Sequence, residues 1–453
     1  MARVILKSNR KKRTEQGHPW VFQSEVESIE GDYQPGDIVE LVNHKGKFLA
    51  KGYINPQSQI VVRVLSYDQD EEINLEYFKR RVEEAEEYRN RLIGEIRSYR
   101  AIYGEADFLP GLIVDKFEDI LVVQILSLGM ELRKDWIKEA LLATYHPRGI
   151  YLRNDVPVRE LEGLSQEKGY WYGEFDTDVC IEENGLKYVV DVKEGQKTGF
   201  FFDQRENRAA IAPLMKGWGK RSGICLAPID EIDALDPDNP KFTNSVDIPA
   251  MDFHGQPAVY PVNKNGKLVT FPYWDGATVL ECFAHTGSFT LNACKHGAKK
   301  VTCLDISEHA IETAKRNIEL NGYTDRVEFV VANAFDYLRE QVQAGRKWDV
   351  VILDPPAFAK SRGAVKSAAR GYKDINLHGL RLVNEGGFLV TASCSFHMSP
   401  DLFRSTIEEA AIDAGKILRL VYWAGAGKDH PEVFGVDEGH YLKFAIFEVR
   451  TKK

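Results

Sequence analysis

Cys394 and Asp354 are the two residues whose setting could support covalent chemistry. Cys394 stands in Ala392-Ser393-Cys394-Ser395, after the apolar run Gly387 to Thr391; Asp354 opens Asp354-Pro355-Pro356-Ala357-Phe358, after Trp348 to Leu353. Carbon 5 of a pyrimidine is a poor nucleophile until another nucleophile has added at carbon 6, and a thiolate suits that addition. The prolines fix an extended loop. Such a loop can present carbonyls and a carboxylate to a planar, amino-bearing base, so Pro355 and Pro356 are candidate substrate contacts, with Phe358 available to stack. Asp354 would support protonation at cytosine N3 as the adduct forms. Taken alone, the proline loop suits transfer to a ring or exocyclic nitrogen equally well. Cys394 favours carbon 5, the alternative being a packed thiol at a strand end.

These two segments need a scaffold that brings strand ends to one edge. Thr278 to Asp305 supplies its first unit: an apolar run with Glu281, the turn Phe283-Ala284-His285-Thr286-Gly287-Ser288-Phe289, a helical segment, and a second run closed by Asp305. Strand, turn, helix, strand and acid make a βαβ unit with a ligand site at the strands' carboxyl ends. Gly287 lets backbone approach a ligand where the helix begins. Asp305 is placed to accept from a ribose diol. A dinucleotide would call for G-x-G-x-x-G, whereas one central glycine preceded by an acid suits the sulfonium or amino group of S-adenosylmethionine. The pattern also fits a doubly wound unit without ligand. Further on, Ser307 caps an amphipathic helix ended by Asn321-Gly322, and a third strand, Val327 to Val331, leads into Asn333 and Ala334. Those two are candidates for the edge of an adenine, and Asp336 for capping the next helix.

The totals bound the setting. The chain has 453 residues, too many for one comfortable core. No run of eighteen apolar residues and no secretory leader is visible, so a cytoplasmic protein without a membrane is expected. Six cysteines without C-x-x-C spacing indicate neither disulfides nor a metal site. Cys303 and Cys294 read as packed residues in a strand and a helix, with Cys282 beside the first turn. A net charge of -9 argues against wholesale electrostatic binding of nucleic acid but leaves room for a local basic patch.

Such a patch lies at the start. Lys7, Arg10, Lys11, Lys12 and Arg13 precede His18-Pro19-Trp20-Val21-Phe22, and short strands at Ile38 to Val42, Phe48 to Tyr53 and Ile60 to Leu65 predict a small β-barrel over residues 1–73. Lys11, Lys12 and Arg13 would suit RNA phosphates and Trp20 a stacked base; a solvated basic run with Trp20 in the core fits equally. A helix from Asn74 to Glu95, a hairpin around Glu118-Asp119, a helix from Glu131 to Tyr145 and a hairpin at Asn184-Gly185 predict a small central α/β domain over 74–190. Lys197-Thr198-Gly199-Phe200-Phe201-Phe202-Asp203-Gln204-Arg205 then opens a helix that Asp203 is placed to cap, with Arg205 directed to cofactor or nucleic acid, or with no role beyond helix entry. From 217 to 276 prolines and glycines rule out a long helix, although Pro257 to Val262 and Lys267 to Phe271 could pair. That stretch reads as an insertion in a third domain over 191–453.

Together these segments resemble a family. Gly17-His18-Pro19-Trp20-Val21-Phe22, Leu109-Pro110-Gly111-Leu112-Ile113-Val114-Asp115, Lys197-Thr198-Gly199 with Asp203 to Arg208, Phe283 to Phe289, Asp354-Pro355-Pro356, Ser393-Cys394-Ser395, Asp429-His430-Pro431 and Glu438 to Lys443 are similar to the bacterial class I methyltransferases that form 5-methylcytosine in large-subunit ribosomal RNA. The resemblance covers the chain except 217–276. It implies an α/β fold with an N-terminal PUA-like β-barrel, a small central α/β domain and a C-terminal Rossmann-like methyltransferase domain. It also implies Cys394 as nucleophile, S-adenosylmethionine as methyl donor, and 23S ribosomal RNA as partner. On this reading Glu281, Phe283, Thr286, Gly287, Ser288, Asp305, Asn333, Ala334 and Asp354 hold the donor. Rival readings are a base-nitrogen methyltransferase such as one for guanine N2, a uracil-C5 enzyme, and an inactive RNA-binding protein. A homodimer is left open, since periodicity reveals no exposed apolar face for it.

Overall fold

Apolar runs alternating with amphipathic helices after Ala277 build a seven-stranded sheet. Its strands are β1 (Thr278–Cys282), β2 (Lys300–Asp305), β3 (Val327–Val331), β4 (Trp348–Leu353), β5 (Val383–Ser393), β6 (Lys416–Ala424) and β7 (Lys443–Thr451). The order is β3-β2-β1-β4-β5-β7-β6. The first five pair in parallel, and β7 runs antiparallel to both β5 and β6. Strand order reverses between β1 and β4, where open α/β sheets bind ligands. Helices α1 (Ser288–Lys295), α2 (Glu308–Leu320), α3 (Ala334–Gln343), α4 (Val365–Leu382) and α5 (Pro400–Ala414) accompany the sheet. Val279, Leu280, Val350 and Leu353 are wholly buried, as expected of central parallel strands covered on both faces. Periodicity outlined β1 to β5 but left the closing pair β6 and β7 unplaced.

The computed structural model describes residues 1–218, 225–228, 251, 258–262, 276–359, 361–436 and 439–452. It divides into two units, Met1–Asn207 with Gly425–Leu442, and Arg208–Ala424 with Lys443–Lys453. Most of the 217–276 stretch and Glu438 lie outside the described residues. Lys216 and Gly276 form an antiparallel bridge, and the Ala277 amide donates to the Met215 carbonyl at 2.9 Å. The chain therefore leaves and re-enters at neighbouring points, directly before β1. Val259–Val262 pairs with Cys225–Pro228; the expected partner Lys267 to Phe271 lies outside the described residues.

The first unit opens with a curled six-stranded half-barrel running from Arg3 to Ser66. Asn74 caps the helix Leu75–Ile93 by accepting from the Tyr77 amide. A five-stranded sheet follows, built from Tyr99–Tyr103, Leu112–Phe117, Ile120–Ile125, Gly149–Asn154 and Glu167–Tyr172. The two strands joined at Asn184-Gly185 pair as a separate hairpin, and both turn residues have positive φ (53° and 67°). The helix expected from Glu131 to Tyr145 starts at Lys134, after a separate short turn of helix at Leu128–Glu131. Asp203 does not cap its helix: its carboxylate accepts from the Tyr441 hydroxyl at 2.5 Å instead. No helix among the described residues is long and apolar enough to cross a membrane.

Candidate active site

The turn after β1 is held in an unusual backbone shape. Phe283, His285 and Gly287 all have positive φ (65°, 49° and 75°), which for the two non-glycine residues costs roughly 1–3 kcal/mol each. Hydrogen bonds pin the shape. Ala284 donates its amide to the Leu304 carbonyl (2.9 Å), Gly287 to the Ala284 carbonyl (2.8 Å) and His285 to Asp305 Oδ2 (2.9 Å). Asp305 Oδ1 accepts from the Ser307 amide at 2.9 Å. Each carboxylate oxygen keeps a second lone pair, so Asp305 can hold the turn and still accept from a ligand. At Gly287 a Cβ would lie 3.1 Å from the Ala314 Cβ, so the turn also needs a small residue there. Thr286 is buried, and half-buried Ser288 opens α1.

Glu281 lies inside β1, 1% exposed, and its Oε2 accepts from the Thr290 amide (2.7 Å) and hydroxyl. Burial pushes this carboxyl up to about 8 against those bonds, with help from the nearby Asp354 and Asp305 carboxylates. Three acids at one sheet edge are a poor host for a pyrophosphate. A cation beside them would return Glu281 to its charged form, so the donor set fits a sulfonium-bearing ligand. Desolvation also drives His285 down to about 4, leaving it neutral. On the next loop Asn333 is exposed and its Oδ1 accepts from the Phe335 amide (2.9 Å). Asn333, rather than Asp336, therefore caps α3, with Ala334 buried behind it.

Cys394 is half-buried, one residue past β5, with Sγ 3.6 Å from the Pro355 carbonyl oxygen. The two strand-end loops are tied together next to it. Ser395 Oγ accepts from the Ala359 amide (3.1 Å) and shares a hydrogen bond with the Tyr372 hydroxyl (2.9 Å). Pro355 is buried and Pro356 exposed. The Phe358 ring packs against Tyr372, Phe335 and Phe283, with centroids 4.6, 5.8 and 6.4 Å away, so part of its surface is already covered. Cys282, Cys294 and Cys303 are wholly or almost wholly buried, and burial raises all three thiols, Cys294 to about 12. Cys394 has the access to solvent that they lack.

Lys443 escaped the sequence reading as a site residue. It opens β7 opposite Ser393, is wholly buried, and its Nζ donates to the Ser395 carbonyl at 2.7 Å. Burial drives it down to about 8, while the charge of Cys394 supports the ammonium form. A lysine inside the apolar run Leu442 to Ile446 was the available signal.

The remaining expected contacts belong to the first unit. Lys11 and Lys12 are exposed; Arg13 donates to Glu25 Oε2 (3.2 Å) and lies over the Phe22 ring. Trp20 is half-buried, its indole N–H donating to Glu105 Oε1 at 2.8 Å. Arg205 is 3% exposed and donates to Asp429 Oδ2 (3.1 Å) and the Ser98 carbonyl (2.9 Å). Its side chain is engaged in a buried polar network, which short-range sequence patterns do not reveal because Asp429 is 224 positions away.

Comparison with known proteins adds the lineage. Residues 4–67 match the PUA-like domain model, and residues 265–385 match the model of conserved hypothetical protein 95. Ribosomal RNA large subunit methyltransferase I of Aeromonas hydrophila is 37% identical across 99% of this chain and 100% of its own length. The chain belongs to the ribosomal RNA large subunit methyltransferase I family. The protein of that name from Alteromonas mediterranea is 35% identical over 99% of both chains. Two solved structures, each 19% identical, share the fold over 99% of this chain and 100% of theirs. One is a SAM-dependent methyltransferase from Streptococcus mutans (TM-score 0.72), and the other a methyltransferase complexed with SAH (0.74). The family's C-terminal unit is thus a Rossmann-like class I methyltransferase, preceded by a PUA-like sheet.

Proposed function

We propose that this chain methylates carbon 5 of a cytosine in 23S ribosomal RNA, using S-adenosylmethionine and a covalent Cys394 adduct. One observation carries the reading: the half-buried thiol of Cys394 adjoins the Asp354-Pro355-Pro356 loop at the ligand-binding edge of the sheet. Family membership supports the ribosomal RNA substrate. The turn from Phe283 to Ser288, with Glu281, Asp305, Asn333, Ala334 and Asp354, would hold the methyl donor. Residues 1–73 would bind RNA as a PUA-like domain through Lys11, Lys12 and Arg13, followed by a small domain over 74–190 and the catalytic domain over 191–453.

The Cys394 thiolate forms a bond to C6, and the C5–C6 π pair shifts toward C5 as N3 takes a proton that Asp354 relays from solvent. S-adenosylmethionine, when bound, supplies the electrophilic methyl group that C5 takes. Loss of the C5 proton to a base then restores the double bond, expels the thiolate and returns the N3 proton to Asp354. Lys443, whose charge and that of Cys394 support one another, favours the thiolate at the start and at the end.

The test is transfer of labelled methyl to unmodified large-subunit RNA, followed by digestion and nucleoside separation. Label in 5-methylcytidine is expected. Label in a nitrogen-methylated base or in 5-methyluridine would replace this reading with one of its rivals.

A further inference from the structure

A second chemically distinctive place lies in the first unit, in a cavity of about 190 Å³. Tyr103, Phe201 and Tyr441 contribute aromatic wall, Asp203 a carboxylate, and Lys197 an ammonium. Asp203 is 5% exposed. Its Oδ2 accepts from the Tyr441 hydroxyl, and its Oδ1 is buried with no hydrogen-bond partner among the described residues. A buried acceptor without a donor is costly, by about 1–3 kcal/mol or more for a charged group, so a ligand bringing a donor to Oδ1 would gain that energy. Burial opposes ionisation of this carboxyl, but the charges of His430, Lys197 and Arg100 hold it below the ordinary range. Asp203 therefore meets its ligand as an anion. Lys197 is exposed, in a left-handed conformation (φ 55°), with its Nζ 5.0 Å from the Phe201 ring centre and 6.0 Å from that of Tyr441.

We propose that this cavity takes one unstacked nucleobase bearing an exocyclic amino group, with Asp203 Oδ1 accepting from the amine and Lys197 meeting the adjoining phosphate. The volume falls below the roughly 300–1,000 Å³ of pockets for larger ligands, which limits the occupant to a single base. Aromatic walls suit the faces of any base. The anionic acceptor favours the amino edge of cytosine or adenine and opposes the O4 carbonyl of uracil. The choice of RNA rests on the proposed function; methyl transfer itself is not needed.

The full chain, without methyl donor, is titrated with short single-stranded oligouridylates carrying one central cytidine, adenosine or uridine, and binding is followed by fluorescence anisotropy. The amino-bearing probes should bind on the order of tenfold tighter than the uridine probe. Asp203→Asn keeps an acceptor for Tyr441 and turns a donor into the cavity, so the preference should vanish or reverse toward uridine. Lys197→Ala should weaken all probes alike and reduce the salt slope by about one. Ultraviolet cross-links of the wild-type complex should fall on Tyr103, Phe201 or Tyr441. Equal affinity for all three probes, a preference untouched in a normally melting Asp203→Asn protein, or cross-links wholly elsewhere would each overturn the site. Because no methyl donor is present, failure here and failure of methyl transfer are read separately.

Discussion

The Sγ of Cys394 and the carbonyl oxygen of Pro355 lie 3.6 Å apart, although 39 residues separate them. That contact joins the ends of β4 and β5, and with the bonds of Ser395 it makes one rigid edge out of two loops. A thiol so held can lend its proton to the Pro355 carbonyl while idle and face a base once ionised.

Cys394→Ala should abolish methyl transfer by several orders of magnitude, as loss of a nucleophile does. Cys294→Ala should lower stability and leave transfer intact. RNA carrying 5-fluorocytidine at the target should form a denaturation-resistant adduct with the wild-type protein and none with Cys394→Ala, because the final loss of a C5 proton is blocked. An adduct that persists in the variant would move the nucleophile elsewhere.

Lys443→Met removes one buried charge and keeps most of the side chain. Alkylation of Cys394 by iodoacetamide, read by peptide mass spectrometry, should slow and need a higher pH. Stability should also change. Folding lowers Lys443 from 10.5 to about 8, so between those values the unfolded chain binds the extra proton and stability rises with pH. Chemical denaturation across that window should show the rise in the wild type and lose it in Lys443→Met.

Glu281 has the opposite slope. Its folded carboxyl titrates near 8 and its unfolded one near 4.5. Between these values the folded form holds the extra proton, so its stabilising contribution is full below 4.5 and is lost as pH rises through 8. Glu281→Gln should flatten that part of the stability profile and weaken S-adenosylmethionine binding, measured by calorimetry. A profile unchanged by the substitution would mean that Glu281 is ionised throughout.

Arg205→Met should act on folding. It leaves Asp429 buried without this partner, and breaking such a pair costs about 3–5 kcal/mol. Denaturant midpoints should fall accordingly. Unaltered stability with weakened RNA binding would instead make Arg205 the substrate contact that the sequence reading envisaged.

Gly287→Ala meets both a left-handed backbone and the Ala314 methyl. A loss of about 1–2 kcal/mol is expected from the backbone alone, together with weaker binding of the methyl donor. Ala at Gly415, also left-handed but with nothing within 4 Å, should cost stability without touching binding.

Local patterns in the chain determined a good deal. Short apolar runs outlined β1 to β5, because a parallel strand buried on both faces must be almost continuously apolar. Cap and turn residues such as Ser307 and Asn184-Gly185 declared themselves, because each satisfies backbone groups within a few positions. The placement of Cys394 and Asp354 at one sheet edge was legible because both follow directly on strands whose ends share that edge in this class of sheet. Tertiary structure alone decided what depends on distant partners. Lys443 became part of the Cys394 edge only through the pairing of β7 with β5, and Arg205 became a buried structural ion only through Asp429. Trp20 was tethered by Glu105, and Asp203 was drawn from a capping role to Tyr441. In each case residue type stated what a side chain could do, whereas burial and the identity of its partner, set by contacts tens to hundreds of residues apart, determined what it does.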